Sequence, residues 1–145
     1  MKKQQSGFTL IELIMVIVIL GVLAAFALPR FADFSNEARA ASMNGIAGSV
    51  RSASAISRAA FLAEGDSAAT TVEIEGVDIA LANGYPAATA AGITAAAQVG
   101  GVTATPGTGA ITYTVTDYTG TNCSVVYTAA TASAPPTIVA TTDGC

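Results

Sequence analysis

The sequence predicts an α+β fold, in which a long kinked N-terminal helix carries a small antiparallel β-sheet packed on its C-terminal half. The first observation is an apolar run near the start of the chain, followed by apolar residues that recur every three or four positions, the period of a helix. The second is a set of short segments after residue 63 that alternate apolar and polar residues between turn-forming residues, as strands do. A helix followed by a run of strands is typical of the α+β class.

The apolar run, residues 8–28, has the length and composition of a membrane-spanning helix. Its 21 residues contain one charged side chain, Glu12. A helix of that length rises roughly 30 Å, which is the thickness of a hydrocarbon core. An ionised side chain inside such a span costs on the order of 2.5 to 3.5 kcal/mol on insertion scales, so it needs a partner. We therefore predict a membrane span in which Glu12 has a function.

The residues before the span differ from an ordinary secretory signal. Lys2 and Lys3 supply the positive charge, and the small residue Gly7 comes directly before the apolar run. A secretory signal places its small-residue cleavage site after the apolar run, so a cut after Gly7 would keep the apolar helix in the mature chain. The new amine at Phe8 would then lie one helical turn from Glu12. The alternative is an uncut signal-anchor helix in which this glutamate has no particular role.

The segment Gly7-Phe-Thr-Leu-Ile-Glu-Leu13, preceded by two lysines, resembles the prepilin signature of type IV pilins and type II secretion pseudopilins. The resemblance implies that a dedicated inner-membrane prepilin peptidase cuts between Gly7 and Phe8 and N-methylates Phe8. It also implies that the carboxylate of Glu12 meets the N-terminal amine of a neighbouring subunit during filament assembly.

The helix is predicted to continue to about Leu62, with a kink near Pro29, because a proline inside a helix removes one hydrogen bond and clashes with the preceding turn. Its second half has a single apolar stripe, made of Phe31, Phe34, Ala38, Met43, Ile46, Val50 and Ala53. The family resemblance implies that the first half forms the filament centre. It also implies that the stretch between Gly21 and Pro29 loosens there.

These features predict four segments along the chain. They are a leader that is removed (1–7), a hydrophobic helix for the membrane and the filament core (8–29), the amphipathic half of the same helix (30–62), and a loop and sheet region closed by a C-terminal disulfide (63–145).

The C-terminal segment predicts one antiparallel sheet of four or five strands. Residues 72–81 predict a hairpin or a bulged strand, and Asn83-Gly84 a turn with left-handed backbone dihedrals. Further predicted elements are a short helix within 87–98, strands at 111–116, 123–128 and 136–141, and loops at 100–101 and 105–109.

The two cysteines, Cys123 and Cys145, follow the membrane span and are expected in an oxidising compartment, where a disulfide forms. Closing a loop of about 23 residues contributes roughly 3 kcal/mol in the chain-entropy model. Free thiols are the alternative.

A disulfide that closes the C-terminal segment is typical of type IVa pilins, whereas major pseudopilins usually lack it and carry a calcium site in their last loop. Residues 37–39, 84–93 and 123–131 are similar to the mannose-sensitive haemagglutinin subfamily of type IVa pilins.

Composition argues against several other function classes. The chain has no histidine, which weighs against most hydrolase mechanisms. Its formal net charge is −4, and removal of the two leader lysines makes it −6, which argues against a basic nucleic-acid-binding surface. A sugar-binding module has no support in the sequence, because there is no tryptophan and the four tyrosines are scattered. We predict no enzyme activity, no cofactor and no metal site.

The predicted function is that of a structural subunit of a type IV pilus, which polymerises through its N-terminal helix into a surface filament for adhesion. The alternative is a pseudopilin of a type II secretion or competence pseudopilus, which has the same N-terminal signature. The expected partners are identical subunits, the prepilin peptidase and the inner-membrane pilus assembly machinery. The expected location is the inner membrane before assembly and then an extracellular pilus on a Gram-negative bacterium.

Overall fold

The computed structural model describes residues 7–145, except for the side chains of Pro29 and of residues 31–33. Residues 1–6 of the predicted leader therefore lie outside the described range. The chain divides into two compact units between Asn36 and Glu37.

One helix, α1, extends from Leu10 to Glu64 and confirms the predicted long N-terminal helix. It ends two residues beyond the predicted end at Leu62. The helical backbone continues through Pro29, and the predicted kink there stays a prediction. A cluster of turn-forming residues follows the helix, and Gly65 takes a left-handed backbone conformation with a φ of 75°. Glycine adopts such a φ without steric cost, which suits the residue that follows a helix end.

The strands of the second unit form two antiparallel sheets, which confirms the α+β class but corrects the prediction of a single sheet. The smaller sheet has the order β1-β2-β3 and the larger one β4-β5-β6-β7. Their bounds are Thr71–Ile74 (β1), Val77–Ala82 (β2), Tyr85–Pro86 (β3), Val102–Gly107 (β4), Ala110–Val115 (β5), Ser124–Thr128 (β6) and Thr137–Thr141 (β7).

The chain leaves the smaller sheet at Pro86, whose ring nitrogen has no hydrogen to donate to a strand ladder. A π-helical turn, Ala90–Thr94, and one turn of α-helix, Ala95–Ala97 (α2), then lead to the larger sheet. The short helix predicted within 87–98 is thus present. It separates the two sheets in the sequence.

The loop predicted at 105–109 is wrong for its first three residues, because Thr105 to Gly107 belong to β4. β4 lies at the edge of its sheet, where a proline is tolerated because one side of the strand has no neighbour to receive a hydrogen bond. Thr108 and Gly109 then form the two-residue connection to β5, and Gly109 has a φ of 68°. The predicted loop is thus present at its last two residues only.

The core of the second unit lies between α1 and the larger sheet. The helix contributes Met43, Ala47, Val50 and Ala53, and the sheet contributes Ile111, Tyr113, Val125 and Tyr127. Two serines of α1, Ser54 and Ser57, are also buried. The Ser57 hydroxyl donates to the Ala53 carbonyl at 2.9 Å, so this polar group has a partner inside the core.

The predicted apolar stripe of the helix is correct only from Met43 onward. Phe34 is 70% exposed and Ala38 is exposed as well, and the side chain of Phe31 lies outside the description. Buried positions continue instead to Phe61 at alternating steps of three and four residues. The stripe was therefore predicted too close to the N-terminus, because an apolar residue at helical spacing does not by itself show where the covering layer begins.

Tyr127 joins the two sheets. It lies on β6 in the larger sheet, is fully buried, and its hydroxyl donates to the carbonyl of Pro86 on β3 at 2.7 Å. We expect Tyr127→Phe to lower the free energy of unfolding by about 1 to 3 kcal/mol, because the buried carbonyl would lose its donor. Urea denaturation of the two chains near neutral pH measures this difference.

The same residue predicts a loss of stability in alkali. Burial raises the pKa of Tyr127 to about 12, above the value of about 10 in an unfolded chain. Its contribution is therefore complete below the unfolded pKa and is lost as the pH rises through the folded pKa. The free energy of unfolding should fall more steeply in this window for the wild type than for Tyr127→Phe. Equal slopes would contradict this assignment. Burial raises the pKa of Tyr113 too, so a smaller slope is expected to remain in the variant.

Candidate assembly site

The first 19 residues of α1 form an apolar surface that no other described residue covers. Leu10–Leu28 has a mean hydropathy of 2.9 and is long enough to cross a membrane, and none of it is buried among residues 7–145. Phe8, just before the helix, is 86% exposed. A helix that is apolar on all sides is stable when lipid or other apolar helices surround it. This segment therefore has the composition of a surface that is buried outside its own chain.

Thr9 and Glu12 form a capping box at the start of α1. The backbone N–H and the hydroxyl of Thr9 both donate to Oε2 of Glu12, at 2.8 and 2.7 Å. In return, the Thr9 hydroxyl accepts a hydrogen bond from the Glu12 backbone N–H at 3.3 Å. This reciprocal pattern satisfies donors that the first turn of a helix otherwise leaves unpaired.

The cap gives Glu12 a partner within its own chain, which the sequence argument had overlooked. The signal was present, since a threonine followed three residues later by glutamate before an apolar run is a capping-box pattern. A carboxylate in the first helical turn is also stabilised by the partial positive charge of the helix N-terminus. Glu12 is therefore held in a fixed place beside the residues that precede the helix.

The remaining predicted residues of this segment lie where the sequence argument placed them along the chain. Gly7 and Phe8 are exposed and precede the helix, while Gly21 and Pro29 lie within it. No other part of the described chain comes within 4 Å of a Cβ built at Gly21. The cleavage between Gly7 and Phe8, the methylation of Phe8 and the loosening of the helix stay predictions.

A disulfide joins Cys123 to Cys145, and both cysteines are buried. Two side chains elsewhere in the second unit donate hydrogen bonds to backbone carbonyls at this end of the chain. The Tyr118 hydroxyl donates to the Gly144 carbonyl at 2.5 Å, and Nε of Arg39 on α1 donates to the Cys145 carbonyl at 2.6 Å. The Arg39 guanidinium also lies 4.6 Å from the centre of the Tyr118 ring, within cation–π range.

Sequence reasoning found the two cysteines but not Arg39 or Tyr118, because neither is near a cysteine-specific motif. Gly144 contributes as well, since a Cβ at this position would overlap the carbonyl of Thr121. Within residues 7–145, no group of three or more His, Cys, Asp or Glu side chains is arranged to hold a metal ion.

Comparisons with known proteins find sequence similarity in the same N-terminal segment. Residues 2–28 match the model of the prokaryotic N-terminal methylation motif. The chain is 55% identical over 51 residues to the type IV narrow pilus major component PilA5 of Thermus thermophilus, a match covering 35% of this chain and 44% of PilA5. The N-terminal segment of the chain is therefore similar to that of a protein named as a type IV pilus component. The chain is also 54% identical over 41 residues to the type IV major fimbrial protein FimA of Dichelobacter nodosus, a match covering 28% of this chain and 26% of FimA.

These matches span less than half the length of either relative. Both relatives are named as pilus or fimbrial proteins, and neither is named as a pseudopilin or as an enzyme. No solved structure matches the chain. The resemblance of the later part to the mannose-sensitive haemagglutinin subfamily stays a prediction.

Proposed function

We propose that the chain is a structural subunit of a type IV pilus, which polymerises through its N-terminal helix into a surface filament used for attachment. The observation that carries the proposal is the uncovered apolar half of α1, Leu10–Leu28, with the capped carboxylate of Glu12 at its start. Water is a poor environment for such a helix, whereas a membrane or a bundle of identical helices buries it. The same segment can therefore serve first as an anchor and then as the filament core.

The proposed contact between subunits is an ion pair between Glu12 and the Phe8 amine of a neighbour. Cleavage after Gly7 creates one amine per subunit, and each subunit also brings one carboxylate in this span, so the two charges balance within an apolar interior. Burying a charge is tolerable only when it is paired and hydrogen-bonded. The two bonds from Thr9 to Oε2 supply part of that hydrogen bonding before a neighbour arrives.

Processing and location follow from the same segment. A prepilin peptidase is proposed to cut between Gly7 and Phe8 and to methylate Phe8, with the inner membrane of a Gram-negative bacterium holding the subunit until the pilus assembly machinery extracts it. In this proposal, segment 1–7 is the leader, 8–29 is the helix of the membrane and filament core, 30–62 is the amphipathic half of the same helix, and 63–145 is the loop and sheet region. The chain acts as a building block and not as an enzyme, in keeping with its lack of histidine.

The stretch from Gly21 to Pro29 is proposed to loosen when the helices pack. Pro29 has no backbone N–H, so the carbonyl one turn earlier, that of Ala25, lacks its usual helical donor. Gly21 adds a residue of low helix propensity at the other end of the stretch. These two residues make this part of α1 easier to unwind than the apolar segment before it.

Mass spectrometry of material sheared from the cell surface tests the proposed function. We expect a chain that begins at a methylated Phe8 and is two hydrogens lighter before reduction than after it. A processed chain found only in the membrane fraction would support the pseudopilin alternative. A chain that retains residues 1–7 in the filament would contradict the proposed processing.

Gly7→Val is expected to block processing, because a branched side chain would stand at the proposed cleavage bond, where glycine leaves the backbone accessible. The intact mass of the variant in the membrane fraction should include residues 1–7, and the sheared fraction should lack the chain. Ser6→Ala, one residue earlier, serves as the control and should be processed normally. Normal processing of Gly7→Val would contradict the assignment of the cleavage site.

A further inference from the structure

A polar cleft in the second unit lies apart from the proposed assembly segment. It has a volume of about 480 Å³, within the range of small-molecule sites. Arg58 of α1 and the turn residues Asn83 and Tyr85 line one side, and the loop at 131–135 lines the other. Among the residues that the structure describes, no Asp or Glu lines it, although the chain as a whole carries a net charge of −4. The cleft therefore carries the positive charge of Arg58 on a protein whose net charge is negative.

The Arg58 guanidinium is held in a fixed position at this cleft. It lies 4.8 Å from the centre of the Tyr85 ring and 5.2 Å from that of Phe61, and Nη1 donates to the carbonyl of Gly84 at 3.2 Å. A side chain on Gly84 would overlap both Arg58 and Phe61, so the glycine is what lets the turn approach the helix this closely. A guanidinium has five N–H donors, and one bond to a carbonyl leaves others for a ligand.

The opposite wall of the cleft also has hydrogen bonds that order it. The Asn83 side-chain amide donates to the Ala130 carbonyl at 2.9 Å, which ties the loop to the turn. Within the loop, the Thr131 hydroxyl accepts hydrogen bonds from the backbone N–H groups of Ser133 and Ala134, at 3.4 and 3.1 Å. A site whose walls are already ordered loses little entropy when a ligand binds.

We propose that this cleft binds a sugar that carries a carboxylate. Arg58 supplies a planar cationic fork, which recognises a carboxylate through two parallel hydrogen bonds. The face of the half-buried Tyr85 ring that Arg58 does not cover offers an apolar surface for the C–H face of a sugar ring, with the hydroxyls of Thr131 and Ser133 for the sugar hydroxyls. Binding requires only the folded second unit and does not depend on whether the chain polymerises.

Nuclear magnetic resonance of the full-length ¹⁵N-labelled chain in detergent micelles tests the proposal, with trigalacturonate as the probe. We expect the amide signals of Gly84, Ser133 and Ala134 to shift with a dissociation constant on the order of 1 mM, as suits a shallow site. Galactotriose, which lacks the carboxylates, and acetate, which lacks the sugar, should each bind at least about tenfold more weakly, because each lacks one of the two kinds of contact. Equal binding of either control compound would overturn the proposal.

Two variants, each with a matched control, test whether the sugar binds at this cleft. Arg58→Gln should weaken trigalacturonate binding at least about tenfold, because it removes a charge-assisted hydrogen bond, while Arg51→Gln, on an exposed arginine outside the cleft, should leave it unchanged. Arg58 also supports the turn, so a second variant keeps the test decisive. Ala132→Glu places a negative charge in the loop without removing a side-chain contact, and Ala132→Gln is its neutral match. Weaker binding only in Ala132→Glu is expected, and equal binding in both would overturn the proposal.

Discussion

Replacing Glu12 by valine is expected to abolish the fibre and to leave the chain in the membrane. The variant loses the one charged side chain within residues 8–28, so insertion becomes easier, although by less than the roughly 2.5 to 3.5 kcal/mol that applies at a helix centre, because Glu12 lies in the first turn. Assembly fails because the Phe8 amine of each neighbour would enter an apolar bundle without a counter-charge, which is far more costly than leaving the subunit in lipid. Immunoblots of the sheared and membrane fractions measure both effects.

Glu12→Gln separates charge pairing from helix capping. Glutamine at this position can still accept hydrogen bonds from Thr9, as in other capping boxes, but it cannot neutralise an amine. If the ion pair drives assembly, this variant also loses the fibre. Fibres at the wild-type level from Glu12→Gln would show that the cap is sufficient, and normal fibres from Glu12→Val would contradict any role for this side chain in assembly.

Thr9→Val changes the other residue of the capping box and leaves Glu12 in place. It removes the hydroxyl that donates to Glu12 at 2.7 Å, while the Thr9 backbone N–H, which donates at 2.8 Å, remains in place. Loss of an N-cap side chain costs about 1 kcal/mol of helix stability. We therefore expect fibres in reduced amount, and not their complete loss as in Glu12→Val.

The apolar segment could be predicted from the sequence because its signals are local. A 21-residue apolar run with one carboxylate requires no knowledge of distant residues to interpret. The capping box is also a local sequence pattern, but the family resemblance assigns Glu12 only to a contact with a neighbouring subunit. A residue that a resemblance assigns to a contact between subunits can also have a role in its own helix, as the hydrogen bonds from Thr9 to Glu12 show.

The second unit was harder to predict, because its contacts join residues far apart in the sequence. Tyr127 reaches Pro86 across 41 positions, and Arg39 reaches Cys145 across 106. Alternating Thr-rich segments specify strands but only weakly their register or their division into sheets. The cleft around Arg58 has no local signal at all, since its other wall comes from the loop at 131–135.

Removing the disulfide by changing both Cys123 and Cys145 to serine is expected to lower the free energy of unfolding by roughly 3 kcal/mol, the chain-entropy estimate for a loop of this length. Both cysteines are buried, so the serine hydroxyls would also be placed in an apolar environment. Urea denaturation of the full chain in detergent, with and without reductant, measures the change. The variant should be insensitive to reductant, whereas the wild type should lose stability when reduced.

Tyr118→Phe distinguishes the covalent link from the hydrogen bonds around it. The variant loses the bond to the Gly144 carbonyl but keeps the disulfide and the ring beneath Arg39, so a loss of about 1 kcal/mol is expected. The Arg39 bond to the Cys145 carbonyl attaches the same end of the chain to α1. If the double serine variant lost no more stability than Tyr118→Phe, the hydrogen bonds would already fix the C-terminal segment. The disulfide would then contribute little, and the chain-entropy estimate would not apply to this loop.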